Sequence, residues 1–272
     1  MEIYQIVILT IFFSLVLLEI LFTNFFNKNG QRTKDGVVEF FSFFQVLFLA
    51  QPLAFALAYG LTDMFAPSVK GLISDWSIFA IVGLLLIFDD LAQYLWHRLC
   101  HSVPILYNLH RPHHDPEYLS IRVVYRNGLF YYLLMPGLWF AGILVYMGAG
   151  ATYFFYIVIK QTVIFGAHTD LRWDKKLYEI KWMHPIMWVL ERTISTPSTH
   201  WAHHGKHASD ENTHYKGNYG NLLFIWDMIF GTAKITRKYP KEIGVENLFD
   251  APASYQLLWP IFKAPGSNKQ PD

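Results

Sequence analysis

Charge is scarce in this sequence: only 16% of its 272 residues are Asp, Glu, Lys or Arg, against about 25% in ordinary water-soluble domains. A surface so poor in charge cannot be solvated all round, so part of the chain must lie against something apolar. The charges that exist nearly cancel, 22 basic against 21 acidic for a net +1. That balance removes the electrostatic case for nucleic acid as a partner. Cysteine is rarer still. With Cys100 alone, no internal disulfide can form, and four-cysteine zinc or iron–sulfur sites are excluded. The G-x-G-x-x-G fingerprint of flavin and nicotinamide sites is missing. So is the H-E-x-x-H of zinc hydrolases, because Arg98, Leu99 and Cys100 stand between His97 and His101.

What is abundant is apolar: 53% of residues are hydrophobic and 18% aromatic. They gather in runs at residues 3–26, 40–61, 76–96, 129–147 and 151–167. The first three are close to the ~20 residues a membrane-spanning helix needs. The last two are separated only by residues 148–150, which predicts a tight turn between paired helices. The fifth is short enough to be only partly embedded. The first run lacks a basic leader and a small-residue cleavage site, so it reads as a retained membrane helix. The expected fold is all-α: a multi-pass bundle of four to five hydrophobic helices in one domain, residues 1–272, with residues 1–78 supplying extra membrane helices.

Lys and Arg alternate between connecting segments. Residues 27–39 carry Lys28, Arg32 and Lys34, and residues 98–128 carry Arg98, Arg111, Arg122 and Arg126, whereas 63–75 have only Lys70. The bias predicts basic segments in the cytoplasm, the N-terminus outside, and a polar cytoplasmic cap from Thr169 onward. Residues 265–272 read as disordered.

All 12 histidines fall between His97 and His214, each at an expected cytoplasmic helix end or within the cap. Asp90, Tyr94, His97 and His101 are spaced by four, three and four, so they share a helix face. Two interfacial histidines are the plain interpretation of that group. An acid within an apolar helix, however, costs roughly 2.5–3.5 kcal/mol. Asp90 is therefore expected to orient an imidazole by accepting its second N–H, and Tyr94 on the same face is expected to support the ligands in the same way. In His110-Arg-Pro-His113-His114, Pro112 suggests a loop entering a helix, where the adjacent histidines can diverge toward two metals. His168 closes the last apolar run and on its own reads as a core histidine. His200, His203 and His204 share a face that His207 continues, leaving His207 undecided, while His184 and His214 stand apart.

Nine motif histidines are too many for one zinc, which takes three protein ligands and a water in a hydrolase. A two-metal site fits the count better, although imidazole suits iron, copper, nickel and zinc alike. A zinc-binding membrane hydrolase or another metal-binding membrane protein remains the alternative. The ligands cluster at one membrane face, which argues against a transporter with a midplane site.

The order HxxxH, HxxHH, single His, HxxHH resembles the fatty acid hydroxylase and sterol desaturase superfamily of membrane di-iron enzymes. The resemblance runs from about residue 79 to 232. It takes in Asp90, Tyr94 and His97-Arg98, Thr196-Pro197, and the downstream Gly217-Asn218-Tyr219-Gly220 and Trp226-Asp227-x-x-Phe230-Gly231-Thr232. Trp201 stands where the pattern commonly has a basic residue, Asp170 where it has Asn, and Lys216 where it often has an acid. The resemblance implies a helical cap holding two iron ions (Fe2+/Fe3+) on His97, His101, His110, His113, His114, His168, His200, His203 and His204. It also implies O2-dependent hydroxylation or desaturation of a membrane lipid in lipid biosynthesis. Without a flavin, haem or cluster domain in the chain, a separate electron-donor protein is expected.

Overall fold

Backbone N–H and C=O groups have no water partners inside a bilayer, so apolar runs of this length satisfy them as helices. The computed structural model describes residues 3–263 and bears this out, and the tail expectation at 265–272 lies outside it. The helices are α1 (Ile3–Phe22), α2 (Thr33–Phe65), α3 (Ile78–Ser102), α4 (Pro104–His114), α5 (Leu129–Leu133), α6 (Pro136–Leu144) and α7 (Gly150–His168). The cap adds α8 (Trp173–Glu179), α9 (His184–Thr193), α10 (Pro197–His203), α11 (Ile225–Phe230) and α12 (Ala253–Leu258). Among the described residues there is no strand, only two isolated bridges.

Four helical stretches are long and apolar enough to cross a membrane: Ile3–Phe22, Thr33–Phe65, Ile78–Ser102 and Pro136–His168. Their outward faces carry bare hydrophobic side chains, such as Phe79 at 85% and Phe155 at 72% exposure. Water would penalise such faces, and lipid would not. The last stretch is no straight rod. Gly148 sits at φ +116°, where a Cβ would lie 2.8 Å from the Ser74 nitrogen. Gly137 packs on Asp89, and Lys160 reaches the same carboxylate at 2.7 Å. In a straight helix those two positions would stand roughly 34 Å apart. The chain therefore folds back at Gly148, as the glycine-bounded turn predicts. Small residues let α6 approach α2 closely: a Cβ on Gly142 would lie 2.8 Å from the Ala58 Cβ.

The bundle has two unlike ends. At one, Ile73 N–H donates to the Met147 carbonyl at 2.9 Å and Tyr146 donates to Asp63 at 2.9 Å. At the other, the Lys- and Arg-bearing segments gather and are tied by buried ions. Arg126 donates to Asp35 at 2.8 Å and Arg32 pairs with Asp115, the residue after His114. The sequence reading missed Glu19, fully buried in α1. It accepts from Ser120 Oγ at 2.6 Å, Ile121 N–H at 3.0 Å, Thr169 Oγ1 at 2.8 Å and Asp170 N–H at 2.8 Å. One carboxylate thus anchors α1 to the segments beside Val123 and His168. Each donor left unsatisfied by its loss would cost about 1–3 kcal/mol.

Candidate metal centre

The nine motif histidines meet at the ion-rich end of the bundle, carried by α3, α4, the last residue of α7, and α10 with its cap. Their ligand-capable nitrogens fall into two groups, each with all atoms within 4.8 Å of one another. His97, His101, His110, His114 and His203 form one group, and His113, His168, His200 and His204 form the other. Helical geometry explains the sorting. Residues four apart share a face, so His97 goes with His101, His110 with His114, and His200 with His204. One residue earlier the helix has turned by about 100°, so His113 and His203 go to the opposite group.

The divergence of adjacent histidines matches the expectation, but its setting differs. Pro112 lies inside the last turn of α4, not where a loop enters a helix. Pro104 starts that helix, and Pro112 comes late enough that few hydrogen bonds remain to be lost after it.

Backbone carbonyls aim four of the nine rings. His97 Nδ1 bonds the Tyr219 carbonyl at 2.8 Å, His113 Nδ1 that of Val123 at 3.1 Å, and His168 Nδ1 that of Ile164 at 2.7 Å. His203 Nδ1 bonds the Gly217 carbonyl at 2.8 Å, and His110 Nδ1 the Asn127 side-chain oxygen at 2.7 Å. These acceptors assign the proton to Nδ1 and leave Nε2 as an inward-facing lone pair.

The consequence is most acute in the group of four. Its Nε2 atoms form a closed ring, with His113–His168 at 3.2 Å, His168–His200 at 2.9 Å, His200–His204 at 3.1 Å and His204–His113 at 3.1 Å. His113 and His168 carry their protons on Nδ1, so only His200 and His204 have an Nε2 proton to share. At most two of the four contacts can then be hydrogen bonds, and the others set lone pair against lone pair or N–H against N–H. A cation at the centre satisfies all four. In a square ring with sides of this length the centre lies about 2.2 Å from each nitrogen, close to a metal–imidazole bond of ~2.0–2.1 Å. In the group of five, the Nε2 atoms of His97, His101 and His203 are buried without a hydrogen-bond partner among the described residues. Such orphans are costly unless a metal takes them. The donor set fits a metal.

Burial, together with neighbouring imidazoles, holds His110, His113, His114, His200, His203 and His204 well below the ordinary histidine value. Neutral imidazole is the form that binds metal.

The segment from Gly217 to Thr232 explains the downstream motifs. A Cβ on Gly217 would lie 2.1 Å from His214 Nε2, so only glycine lets its carbonyl reach His203. Asn218 has φ +56° and donates to the Thr199 carbonyl at 2.8 Å. Asp227 accepts from the N–H groups of Tyr219 at 2.8 Å and Gly220 at 2.7 Å, which holds the turn.

Three residues behave differently from the sequence expectation. Asp90 does not meet an imidazole: it accepts from Trp226 Nε1 at 2.8 Å and Leu223 N–H at 3.2 Å. Seven residues, about 10 Å of helix rise, separate it from His97. Tyr94 touches Thr232 Oγ1 at 2.9 Å and no histidine ring, and so steadies the orienting segment only indirectly. His207 does not continue the histidine face, because α10 ends at His203. It pairs instead with Glu246 and Glu242, whose carboxylates raise its pKa. His184 is exposed on the Tyr178 carbonyl at 2.9 Å, and His214 bonds the Thr232 carbonyl at 3.0 Å. Sequence reasoning missed Asn127, an exception among orienters in that it acts through a side chain.

The model of the fatty acid hydroxylase family matches residues 82–232, more than half of the chain and all nine histidines. The chain belongs to the fatty acid hydroxylase family. Alkylglycerol monooxygenase of Danio rerio is 30% identical over 154 residues, which is 53% of this chain and 28% of that protein. The Homo sapiens alkylglycerol monooxygenase is 26% identical over 197 residues, 65% of this chain and 40% of that protein. The Caenorhabditis elegans protein of the same name is 29% identical over 195 residues, 68% of this chain and 34% of its own length. This family member therefore spans well under half of the relatives it matches. No solved structure matches it significantly.

Proposed function

We propose that this chain is a membrane-bound non-haem di-iron oxygenase that uses O2 to hydroxylate or desaturate a lipid. The observation that carries the reading is the pair of histidine groups, one a closed ring of Nε2 atoms whose contacts cannot all be hydrogen bonds and the other holding three orphaned Nε2 atoms. Five and four imidazoles in adjoining positions do not suit a zinc hydrolase, whose metal has three protein ligands and a water. Iron held there would supply the redox chemistry that activates dioxygen, which side chains alone cannot.

The protein's part is placement. Carbonyls of Tyr219, Val123, Ile164 and Gly217, with Asn127, lock five rings in one tautomer and orientation. Burial of His113, His168, His200 and His204 keeps bulk water away from that group. Hydroxylation puts one oxygen atom into the lipid and releases the other as water, which consumes two electrons and two protons. A separate electron-donor protein is the proposed source, docking on the cytoplasmic cap. The relatives' name makes an alkylglycerol the first substrate to try.

The test is turnover in membranes containing the protein, an alkylglycerol, an electron-transfer chain and isotopically heavy O2. Heavy oxygen in a lipid product supports hydroxylation, and a new double bond supports desaturation. An unchanged lipid pool with a changed water-soluble metabolite contradicts the reading. NAD(P)H and O2 without a donor protein should give no turnover.

A further inference from the structure

A cavity of about 530 Å³ lies among α1, α2, α3 and α7, on the membrane side of the histidines. This volume falls in the roughly 300–1,000 Å³ range of ligand sites. Along α2 it runs from Phe43 to Gly60, roughly 25 Å of helix, close to the ~30 Å hydrocarbon thickness of a bilayer. That length suits an extended chain better than a compact molecule.

Its wall holds an ion pair where none is expected. Lys160 on α7 donates to Asp89 on α3 at 2.7 Å, and the two residues are 3% and 4% exposed. Ionisable groups inside a membrane bundle are costly and mark functional sites. The pair is also in register with the metal centre. On α3, Asp89, Gln93 and His97 follow one another at intervals of four, and on α7 so do Lys160, Ile164 and His168. The ion pair therefore stands two turns, about 12 Å, below the histidines, with Gln93 one turn above it.

Hydrogen-bonding capacity is left over at this level. Lys160 has two further N–H groups with no acceptor among the described residues, and Gln93 Oε1 is buried without a donor. A spare donor and an unmet acceptor on residues lining one cavity match a hydroxyl, which can accept from the one and donate to the other. A plain hydrocarbon would leave both unmet.

We propose that this chamber holds the substrate lipid as an extended chain beneath the histidines, and that Lys160 and Gln93 bind an oxygen, such as a hydroxyl, borne on that chain within about two helical turns of the reacting carbon. The choice of a lipid as occupant rests on the lipid-oxygenase reading above. Asp89 holds the Lys160 ammonium in place and is a positioning residue.

Binding of a photoreactive octadecanoic acid, with a mid-chain diazirine and a terminal alkyne, to the full chain in lipid nanodiscs tests the proposal. Cross-links should map to cavity residues such as Phe55 and Ile157. Competing 10-hydroxystearic acid should displace the probe about ten-fold better than stearic acid, the effect of one charge-assisted hydrogen bond. That advantage should vanish in Lys160→Met/Asp89→Leu and in Gln93→Leu, while labelling by the plain chain persists. Gln93→Leu keeps the ion pair, so the test survives if the double variant misfolds. Equal displacement by the two acids, or cross-links confined to outward residues such as Phe48 and Phe155, would overturn the proposal. Labelling needs neither O2 nor electrons. Lost labelling with intact turnover therefore sinks this inference alone, and intact labelling without turnover sinks the oxygenase reading alone.

Discussion

The two histidine groups are built to different tolerances. The group of four is a closed ring of buried imidazoles, each Nε2 within 3.2 Å of two others. The group of five is looser: among the described residues its one Nε2–Nε2 contact is His110–His114 at 3.2 Å, and its other three Nε2 atoms are orphaned. It also has an open edge. His101 and His114 line a cavity of about 580 Å³ shared with Arg98, Lys206 and Lys216. The closed ring has no ligand to spare, whereas the other position has one in surplus and a route to it. Rings aimed from four helices thus make one closed group and leave the other reachable.

Removing one ring from each group should separate the two most strongly. His200→Ala should empty the ring position, with loss of metal and activity exceeding the roughly 10–100-fold cost of a lost orienting partner. His101→Ala leaves four imidazoles in its group, so its metal content should fall less than in His200→Ala. Equal losses in iron per folded chain would show that the two positions do not differ as described.

Next in size is Asn127→Leu, which keeps every histidine but removes the acceptor that aims His110. A loss of about 10–100-fold in metal affinity or activity is expected, measured by chelator competition. Asp90→Asn should do less. Its carboxylate holds Leu223 and Trp226, so melting temperature should drop while iron content stays near wild type. A loss of iron as large as that of Asn127→Leu would restore Asp90 to the role its spacing suggests.

The smallest effect concerns His207, outside both groups. Glu246 first, and then Glu242, raise its pKa above the ordinary histidine value, with Lys206 the neighbouring cation. A raised folded pKa means the folded state holds the proton more tightly. The stabilisation is therefore present below about pH 6.5 and fades as pH rises through the higher folded value. Thermal melts of wild type and His207→Gln should converge at alkaline pH and separate in acid, with iron content unchanged. His184→Ala should match wild type throughout.

Much of this was legible in the sequence because helical spacing transmits directly into side-chain direction. The nine histidines, the apolar helices and the turn at Gly148 each rest on local periodicity. The orienting groups were not legible for a physical reason. The carbonyls of Val123, Ile164, Gly217 and Tyr219 belong to every residue type, so no side-chain pattern announces them. Gly217 and Gly220 carried an indirect sign, since close approach requires glycine there. Glu19 and Lys160 were visible as lone charges in apolar runs and deserved the weight that Asp90 received. Asp90 itself was placed on the correct face, but a face says nothing about the distance along the axis.

Two irons held by these two groups would show in the metal content of the protein. Protein purified anaerobically from iron-replete cells, with zinc and copper measured in the same digest, should contain close to two iron ions per folded chain, one for each histidine group. His200→Ala should retain close to one. Zinc alone at either stoichiometry, or wild-type iron that stays near one per chain after reconstitution with ferrous ion, would rule out a pair of irons held by these histidines.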